Sequence, residues 1–248
     1  MAADGGYLIA RGPEPARALL RAGRWDDALA ALPTDGPPTD GLRADGLRAD
    51  ELAGRAQILI DRFWWRLDDP AAAESAVAAL RAADPVLGQF CAAQLAYTRL
   101  LFTIDPQPGH PDLARDGFSA GSADERIAGW GMFWLGVLAD NVDHSPAAAV
   151  ASYQHALTWA RDQGDPILES YAVRHLGDHA LRAGDAGGLD LVRRSYQLRA
   201  ALGARPLTAA AAVTLAAELP PGAEANQLRE TAWLTATELQ LTWLLRAL

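Results

Sequence analysis

Residues 164–185 read GDPILESYAVRHLGDHALRAGD, and this stretch decides the fold of the chain. It begins with the pair Gly164-Asp165 and ends with the pair Gly184-Asp185, and the apolar residues between them recur at helical spacing. Glycine lets the backbone turn, and aspartate can cap the helix that follows it. The stretch therefore predicts one helix between two tight turns, with further helices on both sides.

The rest of the chain repeats this alternation of apolar-periodic stretches and helix breakers. The breakers include Pro85, the segment 141–146 and the segment 220–222, and runs with the alternating pattern of a strand are almost missing. Short connections of this kind join antiparallel helices. The sequence therefore predicts an all-α fold and excludes a long coiled coil.

Two of the helical stretches carry a further signature. Leu135-Gly136 and Leu176-Gly177 each precede a turn and a second helix, and residues 22–29 (AGRWDDAL) have the same turn-then-helix form. The chain resembles the tetratricopeptide repeat family, most strongly over residues 125–205. The resemblance implies an α-solenoid of about five antiparallel helical hairpins, with a concave groove lined by the first helix of each hairpin.

Composition narrows the function. The 248 residues carry a net charge of −9, which argues against nucleic acid or an anionic membrane surface as partner. All 22 basic residues are arginine, so chemistry that needs lysine, such as P-loop nucleotide binding or Schiff-base formation, is excluded. A lysine-dependent carboxylate clamp of the kind that some family members use is also disfavoured. Arginine in place of lysine, with abundant alanine, is typical of a high-GC bacterium such as an actinomycete.

Further features bear on location and cofactors. Cys91 is the one cysteine, so the sequence excludes an internal disulfide framework and a multi-cysteine zinc site. The N-terminal residues lack an apolar run of signal-peptide length, and no run of eighteen apolar residues follows. We expect a cytoplasmic protein without a cofactor.

We expect one domain over residues 1–248 with two long flexible loops. The segment 33–50 is rich in proline and glycine and contains a tandem DGLRA repeat, and 104–124 is also rich in loop-forming residues. Residues 117–121 (GFSAG) match the G-x-S-x-G pattern of esterase nucleophile elbows, but no strand precedes them. The sequence favours a flexible linker there rather than a nucleophilic Ser119.

Two groups of polar residues could suggest a metal. His175 and His179 are four residues apart and share a helical face, while residues 140–144 (DNVDH) contain two aspartates. The histidine pair lacks an intervening glutamate, and the acidic segment lies where a helix must end before Pro146. Surface or core packing for the first group and helix termination for the second are the favoured interpretations, and no metal site is predicted.

Aromatic residues give the candidate binding surface. They crowd the helices whose inward faces would form the groove, where some must also serve as core. In the register implied by the family resemblance, the groove residues are Phe90, Gln94, Tyr97, Trp130, Phe133, Trp134, Tyr171, Arg174, His175 and Asp178.

The preferred hypothesis is a non-catalytic binding or scaffold protein that holds a protein or peptide segment in this groove. The alternative is a binding protein or enzyme for a small apolar or aromatic molecule, such as one of bacterial secondary metabolism, with His175 as acid or base beside Asp178. Residues 224–248 predict one long apolar helix that either packs back over the concave face or forms a homodimer contact. An enclosed pocket around Trp134 and His175 would favour the alternative, and an open trough would favour the scaffold.

Overall fold

The structure is a computed structural model that describes residues 13–33 and 41–248, with side chains described from residue 49 onwards in the second range. The described residues contain no strand, and the predicted all-α fold is confirmed. They form thirteen helices: α1 Glu14–Arg21, α2 Trp25–Ala30, α3 Gly41–Arg66, α4 Ala71–Ala83, α5 Pro85–Phe102, α6 His110–Ala123, α7 Ala128–Asn141, α8 Pro146–Gln163, α9 Pro166–Arg182, α10 Gly188–Ala201, α11 Arg205–Glu218, α12 Ala223–Leu239 and α13 Thr242–Ala247.

The helices pack in the order in which they occur in the chain. Each helix from α1 to α12 contacts the next one, so that six consecutive pairs form a helical-hairpin solenoid, one pair more than the sequence predicts. Two neighbouring pairs of first helices also touch, α3 with α5 and α7 with α9. These first helices form the concave face of the solenoid.

Glycines at the predicted positions let the helices of a hairpin approach closely. A Cβ atom on Gly136 of α7 would lie 2.7 Å from the ring of Tyr153 on α8. A Cβ atom on Gly177 of α9 would lie 2.8 Å from the carbonyl oxygen of Gly188 on α10. Both sites exclude a larger residue, which confirms the packing role predicted from the Leu-Gly pairs.

The turn before α9 also has the predicted chemistry. Gly164 has a φ of +65°, in the left-handed region that favours glycine, and Asp165 caps the next helix. The Asp165 Oδ1 atom accepts a hydrogen bond from the backbone N–H of Leu168 at 2.9 Å. The first Gly-Asp pair therefore forms the turn and cap that its residues indicate, whereas Asp185 of the second pair accepts from the Gly187 N–H and does not cap α10.

The two ends of the solenoid meet. A Cβ atom on Gly23, in the turn between α1 and α2, would lie 2.8 Å from Leu239 of α12 and 2.9 Å from Pro206 of α11. Near the same place the short helix α13 contacts α3, where the rings of Trp243 and Trp65 stack at 5.3 Å. The C-terminal helices thus pack against the first hairpins, and this closure shapes the concave face.

The prediction of a flexible loop over 33–50 is wrong for its second half. Residues 41–50 form the first part of α3, whereas residues 34–40 lie outside the described residues. The DGLRA repeat supplies leucine, arginine and alanine, which are strong helix formers, and their propensity outweighs the two glycines.

The loop predicted over 104–124 is likewise mostly a helix, and the flexible linker expected at 117–121 is wrong. Helix α6 spans His110–Ala123, and only a short connection separates it from α5. Its glycines allow close packing, because a Cβ atom on Gly117 would lie 2.5 Å from the carbonyl oxygen of Gln89. Ser119 is exposed on this helix, without the strand and sharp turn that a nucleophile elbow requires.

The C-terminal segment is two helices rather than the single long one that was predicted. Gln240 adopts a left-handed conformation with a φ of +58° and ends α12. The chain then turns, and Leu241 and Leu244 become fully buried as α13 forms. Part of the apolar surface of the final residues is therefore used within the chain, while Leu245 and Leu248 stay exposed.

Candidate functional site

A cavity of about 520 Å³ lies on the concave face. Its wall is formed by side chains of α3, α5, α7, α9 and α11, together with Arg199 of α10. Helix α13 adds Trp243, Leu244 and Ala247 to the wall. The result is a half-enclosed chamber, which we call the concave cavity, rather than an open trough.

An aromatic triad of Trp64, Tyr97 and Trp134 forms the wall where α3, α5 and α7 meet. The ring of Trp134 lies edge-on to both neighbours, at 5.9 Å from Trp64 and 5.5 Å from Tyr97. The rings of Trp64 and Tyr97 stack at 6.2 Å. Aromatic rings in these offset and edge-on geometries attract one another and present both faces and edges to a neighbouring molecule.

A polar cluster of Arg174 and His175 lies on α9, farther along the cavity. The Nη1 atom of Arg174 is 3.1 Å from Nε2 of His175. The His175 ring stacks on Tyr153 at 4.6 Å and lies edge-on to Phe133 at 5.4 Å. Burial, reinforced by the Arg174 guanidinium, lowers the pKa of His175 well below its usual value. The imidazole is therefore neutral at physiological pH and can accept a hydrogen bond from Arg174.

A second polar group, centred on Asp140, closes the wall between α7 and α9. The Tyr153 hydroxyl donates to Asp140 Oδ2 at 2.7 Å, and His179 Nε2 lies 3.0 Å from the same oxygen. Burial and the nearby Asp140 carboxylate raise the pKa of Tyr153, so its hydroxyl keeps the proton that it donates. The neighbouring Asn141 donates from Nδ2 to the Tyr97 hydroxyl at 2.9 Å. These bonds hold the side chains in one arrangement.

Three polar atoms of the wall contrast with these satisfied groups. The Oε1 atom of Gln94 and the Nε1 atoms of Trp134 and Trp243 are buried, and none has a hydrogen-bond partner among the described residues. A buried polar atom without a partner costs free energy, and such atoms in proteins are usually satisfied by water or by a ligand. All three residues line the concave cavity.

The structure brings together eight of the ten predicted groove residues. Phe90 and Trp130 do not line the cavity: Phe90 packs on Phe118 with ring centroids 5.8 Å apart, and Trp130 donates from Nε1 to the buried Asp165 at 2.9 Å. Both side chains lie between helices, because their positions face a neighbouring helix rather than the concave side. The residues that line the cavity are Gln94, Tyr97, Phe133, Trp134, Tyr171, Arg174, His175 and Asp178.

Sequence reasoning missed the contribution of α3, and it gave the packing of the C-terminal segment over the concave face as one of two alternatives without naming α13 residues as lining. On α3 the lining residues Gln57, Ile60, Asp61 and Trp64 recur at helical spacing, so extending the groove register to the preceding hairpin would have found them. No periodic pattern in the sequence places Trp243 at the cavity, because its position depends on the turn at Gln240 and on packing against Trp65.

The alternative catalytic pair does not form a working acid–base unit by itself. Asp178 pairs with Arg182 at 2.7 Å, and the nearest hydrogen-bonding group to the His175 ring is a guanidinium rather than a carboxylate. Neither His175 nor His179 belongs to a metal-binding group, and no such group of three or more ligands occurs in the part of the chain that the structure describes. The arrangement of His175, Arg174 and Asp178 is suited to binding a ligand through hydrogen bonds.

Comparisons with known proteins do not assign the chain to a family. No protein-family model matches it, and neither the curated proteins nor the solved structures contain a significant match. Within residues 13–33 and 41–248, no helix has both the length and the apolar content that crossing a membrane requires. Inferences about function therefore depend on the cavity and its residues.

Proposed function

We propose that this protein binds a small molecule with an aromatic or apolar body in the concave cavity. The observation that carries the proposal is the packing of α13 onto the concave face, which leaves a half-enclosed chamber of about 520 Å³. Cavities of roughly 300–1,000 Å³ with apolar walls and a few polar groups are the usual form of small-molecule sites.

The composition of the wall supports the same function. The aromatic triad offers flat apolar surface, while Gln94, Trp134 and Trp243 offer one acceptor and two donors whose atoms have no partner among the described residues. A ligand that satisfied these atoms would recover the free energy lost by their burial. The fixed hydrogen bonds around Asp140 and Asn141 keep the adjoining wall in place, which reduces the entropy cost of binding.

Binding of N-phenyl-1-naphthylamine, a neutral aromatic probe whose fluorescence rises in apolar surroundings, tests this function. We expect saturable one-to-one binding to the full chain and a loss of about tenfold or more in affinity for Trp134→Ala. The matched control is Trp233→Ala, because Trp233 is 52% exposed on α12, outside the cavity. An unsaturable signal, or an equal loss in both variants, would contradict the proposal.

A second candidate is the binding of a protein segment in the groove by a non-catalytic scaffold. The observation that favours it is α13 itself, since a short apolar helix of this chain already lies on the concave face. The variant Leu244→Asp would place a charge where Leu244 is 1% exposed and so detach α13. Binding of a peptide with the sequence of residues 241–248 to this variant would support the scaffold, whereas loss of probe affinity without peptide binding would support the small-molecule function.

We further propose that the hairpins are degenerate tetratricopeptide repeats of a bacterial cytoplasmic protein. The glycines at the Leu-Gly pairs and the capped turn at Asp165 support this assignment. The buried free thiol of Cys91 and the arginine-only basic composition are consistent with a reducing compartment and a high-GC bacterium.

A further inference from the structure

The guanidinium of Arg174 is a positive charge of the cavity that has no ion-pair partner among the described residues. The side chain lies on the inward side of α9 and is half-buried. No carboxylate oxygen of the described residues lies within 4.0 Å of its guanidinium nitrogens, the distance that defines an ion pair. Its hydrogen-bonding neighbour is the neutral ring of His175. A partly buried cation without a counter-ion is costly, so a group of opposite charge placed there would be strongly favoured.

The carboxylates of the cavity are engaged elsewhere. Asp140 holds the Tyr153 hydroxyl and His179, and Asp178 pairs with Arg182. Asp61 accepts a hydrogen bond from Trp25 Nε1 at 2.8 Å. Because each of these carboxylates already faces a donor, the charge of Arg174 remains available to a molecule in the cavity.

A second guanidinium adds positive charge on the same side. Arg199 is 3% exposed and lies over the Tyr171 ring at 4.7 Å. Its Nε atom donates to Ser170 Oγ and its Nη1 atom to the Leu207 carbonyl oxygen, each at 3.2 Å. These bonds fix the position of the charge at the cavity wall. Interactions between charges are stronger in such a partly dehydrated cavity than in water.

We propose that the ligand of the concave cavity is an aromatic acid, whose carboxylate or equivalent anionic group binds the guanidinium of Arg174 while its ring packs on the aromatic triad. This inference rests on the function proposed above and names the class of ligand. A guanidinium binds a carboxylate or a sulfonate through two parallel N–H donors, which orients the ligand as well as holding it. The indole N–H groups of Trp134 and Trp243 are further donors suited to an acceptor-rich molecule.

Two probes that differ by one anionic group test the inference. 8-Anilinonaphthalene-1-sulfonate is N-phenyl-1-naphthylamine with an added sulfonate, so the ratio of their dissociation constants isolates the contribution of the charge. We expect Arg174→Met or Arg174→Gln to weaken the sulfonate probe by about tenfold or more and to leave the neutral probe within about twofold. Arg174→Lys keeps the positive charge, so it should retain part of the preference for the sulfonate probe over the neutral probe.

The controls separate this inference from the proposed function. Arg194→Met removes an arginine whose side chain is 53% exposed on α10, outside the cavity, and should change neither affinity. Circular dichroism and the thermal midpoint show which variants are folded. If only one of Arg174→Met and Arg174→Gln is folded, that variant is enough for the test. If the neutral probe binds but loss of the Arg174 charge affects both probes equally, the acid-binding inference is wrong and the proposed function stands. If neither probe binds the unmodified chain, the proposed function itself is wrong.

Discussion

Trp130 and Trp134 are one helical turn apart on α7, yet they belong to different regions of the molecule. The indole N–H of Trp130 donates to Asp165 within the core between helices, where Trp130 is 4% exposed. The indole N–H of Trp134 lines the concave cavity and has no partner among the described residues. The comparison teaches that successive turns of one helix can differ in role, with a satisfied indole in the core for stability and an unsatisfied indole at the cavity wall for binding.

The largest expected effect on stability is for the substitution of Trp130, the indole that lies in the core. Trp130→Ala should lower the free energy of unfolding by about 3–5 kcal/mol, because it empties a buried volume and removes the donor to Asp165. Urea denaturation followed by circular dichroism measures this loss. The exposed control Trp233→Ala should change stability by no more than about 0.5 kcal/mol, and similar losses in the two variants would contradict the account.

The partner of Trp130 gives a pH-dependent prediction. Burial raises the pKa of Asp165 to about 7, although the N–H groups of Leu168 and Trp130 oppose the shift. Between about pH 4 and pH 7 the unfolded chain has therefore lost a proton that the folded chain keeps, so stability falls as the pH rises.

The size of this decline is up to about 4 kcal/mol over the whole range, and it ends once the pH exceeds the folded-state pKa. Thermal midpoints of the unmodified chain and of Asp165→Asn, measured from pH 4 to pH 8, provide the test. The thermal midpoint of the unmodified chain should fall relative to that of Asp165→Asn as the pH rises across this range. A constant difference would show that Asp165 is ionised in the folded state throughout.

The close packing behind the cavity wall gives a smaller effect. Gly136→Ala places a Cβ atom 2.7 Å from the Tyr153 ring, so it should destabilise the chain by about 1–3 kcal/mol despite the better helix propensity of alanine. Gly109→Ala is the control, since nothing lies within 4 Å of its Cβ position. Equal melting temperatures for the two variants would show that α7 and α8 can separate without cost.

The smallest effect is expected on the cavity side of α7. Trp134→Phe removes an indole N–H that has no partner in the described chain, so it should cost less stability than Trp130→Phe, by about 1–3 kcal/mol. The two substitutions remove the same atoms, which makes their difference in urea midpoint informative. A larger loss of stability for Trp134→Phe would reverse the roles assigned to the two indoles.

Local chemistry accounts for what the sequence could predict. Gly-Asp turns and Leu-Gly pairs depend on residues close in the chain, and the predictions for α7 to α10 are confirmed. Prediction failed over 104–124, where glycines that usually indicate a loop instead allow α6 to pack closely on α5.

The same reasoning explains the partial prediction of the cavity. Eight of the residues that line the cavity follow from the groove register that the family resemblance implies. Phe90 and Trp130 were misplaced, since composition does not distinguish an aromatic residue that faces a neighbouring helix from one that faces the groove. The return of α13 depends on a contact between Trp243 and Trp65, which are distant in sequence.

The indole N–H signals of a ¹⁵N-labelled full chain, assigned with single Trp→Phe variants, test the central claim most directly. During a titration with 8-anilinonaphthalene-1-sulfonate, the signals of Trp134 and Trp243 should shift with one common dissociation constant, because both residues line the cavity. The signals of Trp130 and of the exposed Trp233 should stay in place. Shifts confined to Trp233, or no shift at Trp134, would contradict a small-molecule site on the concave face.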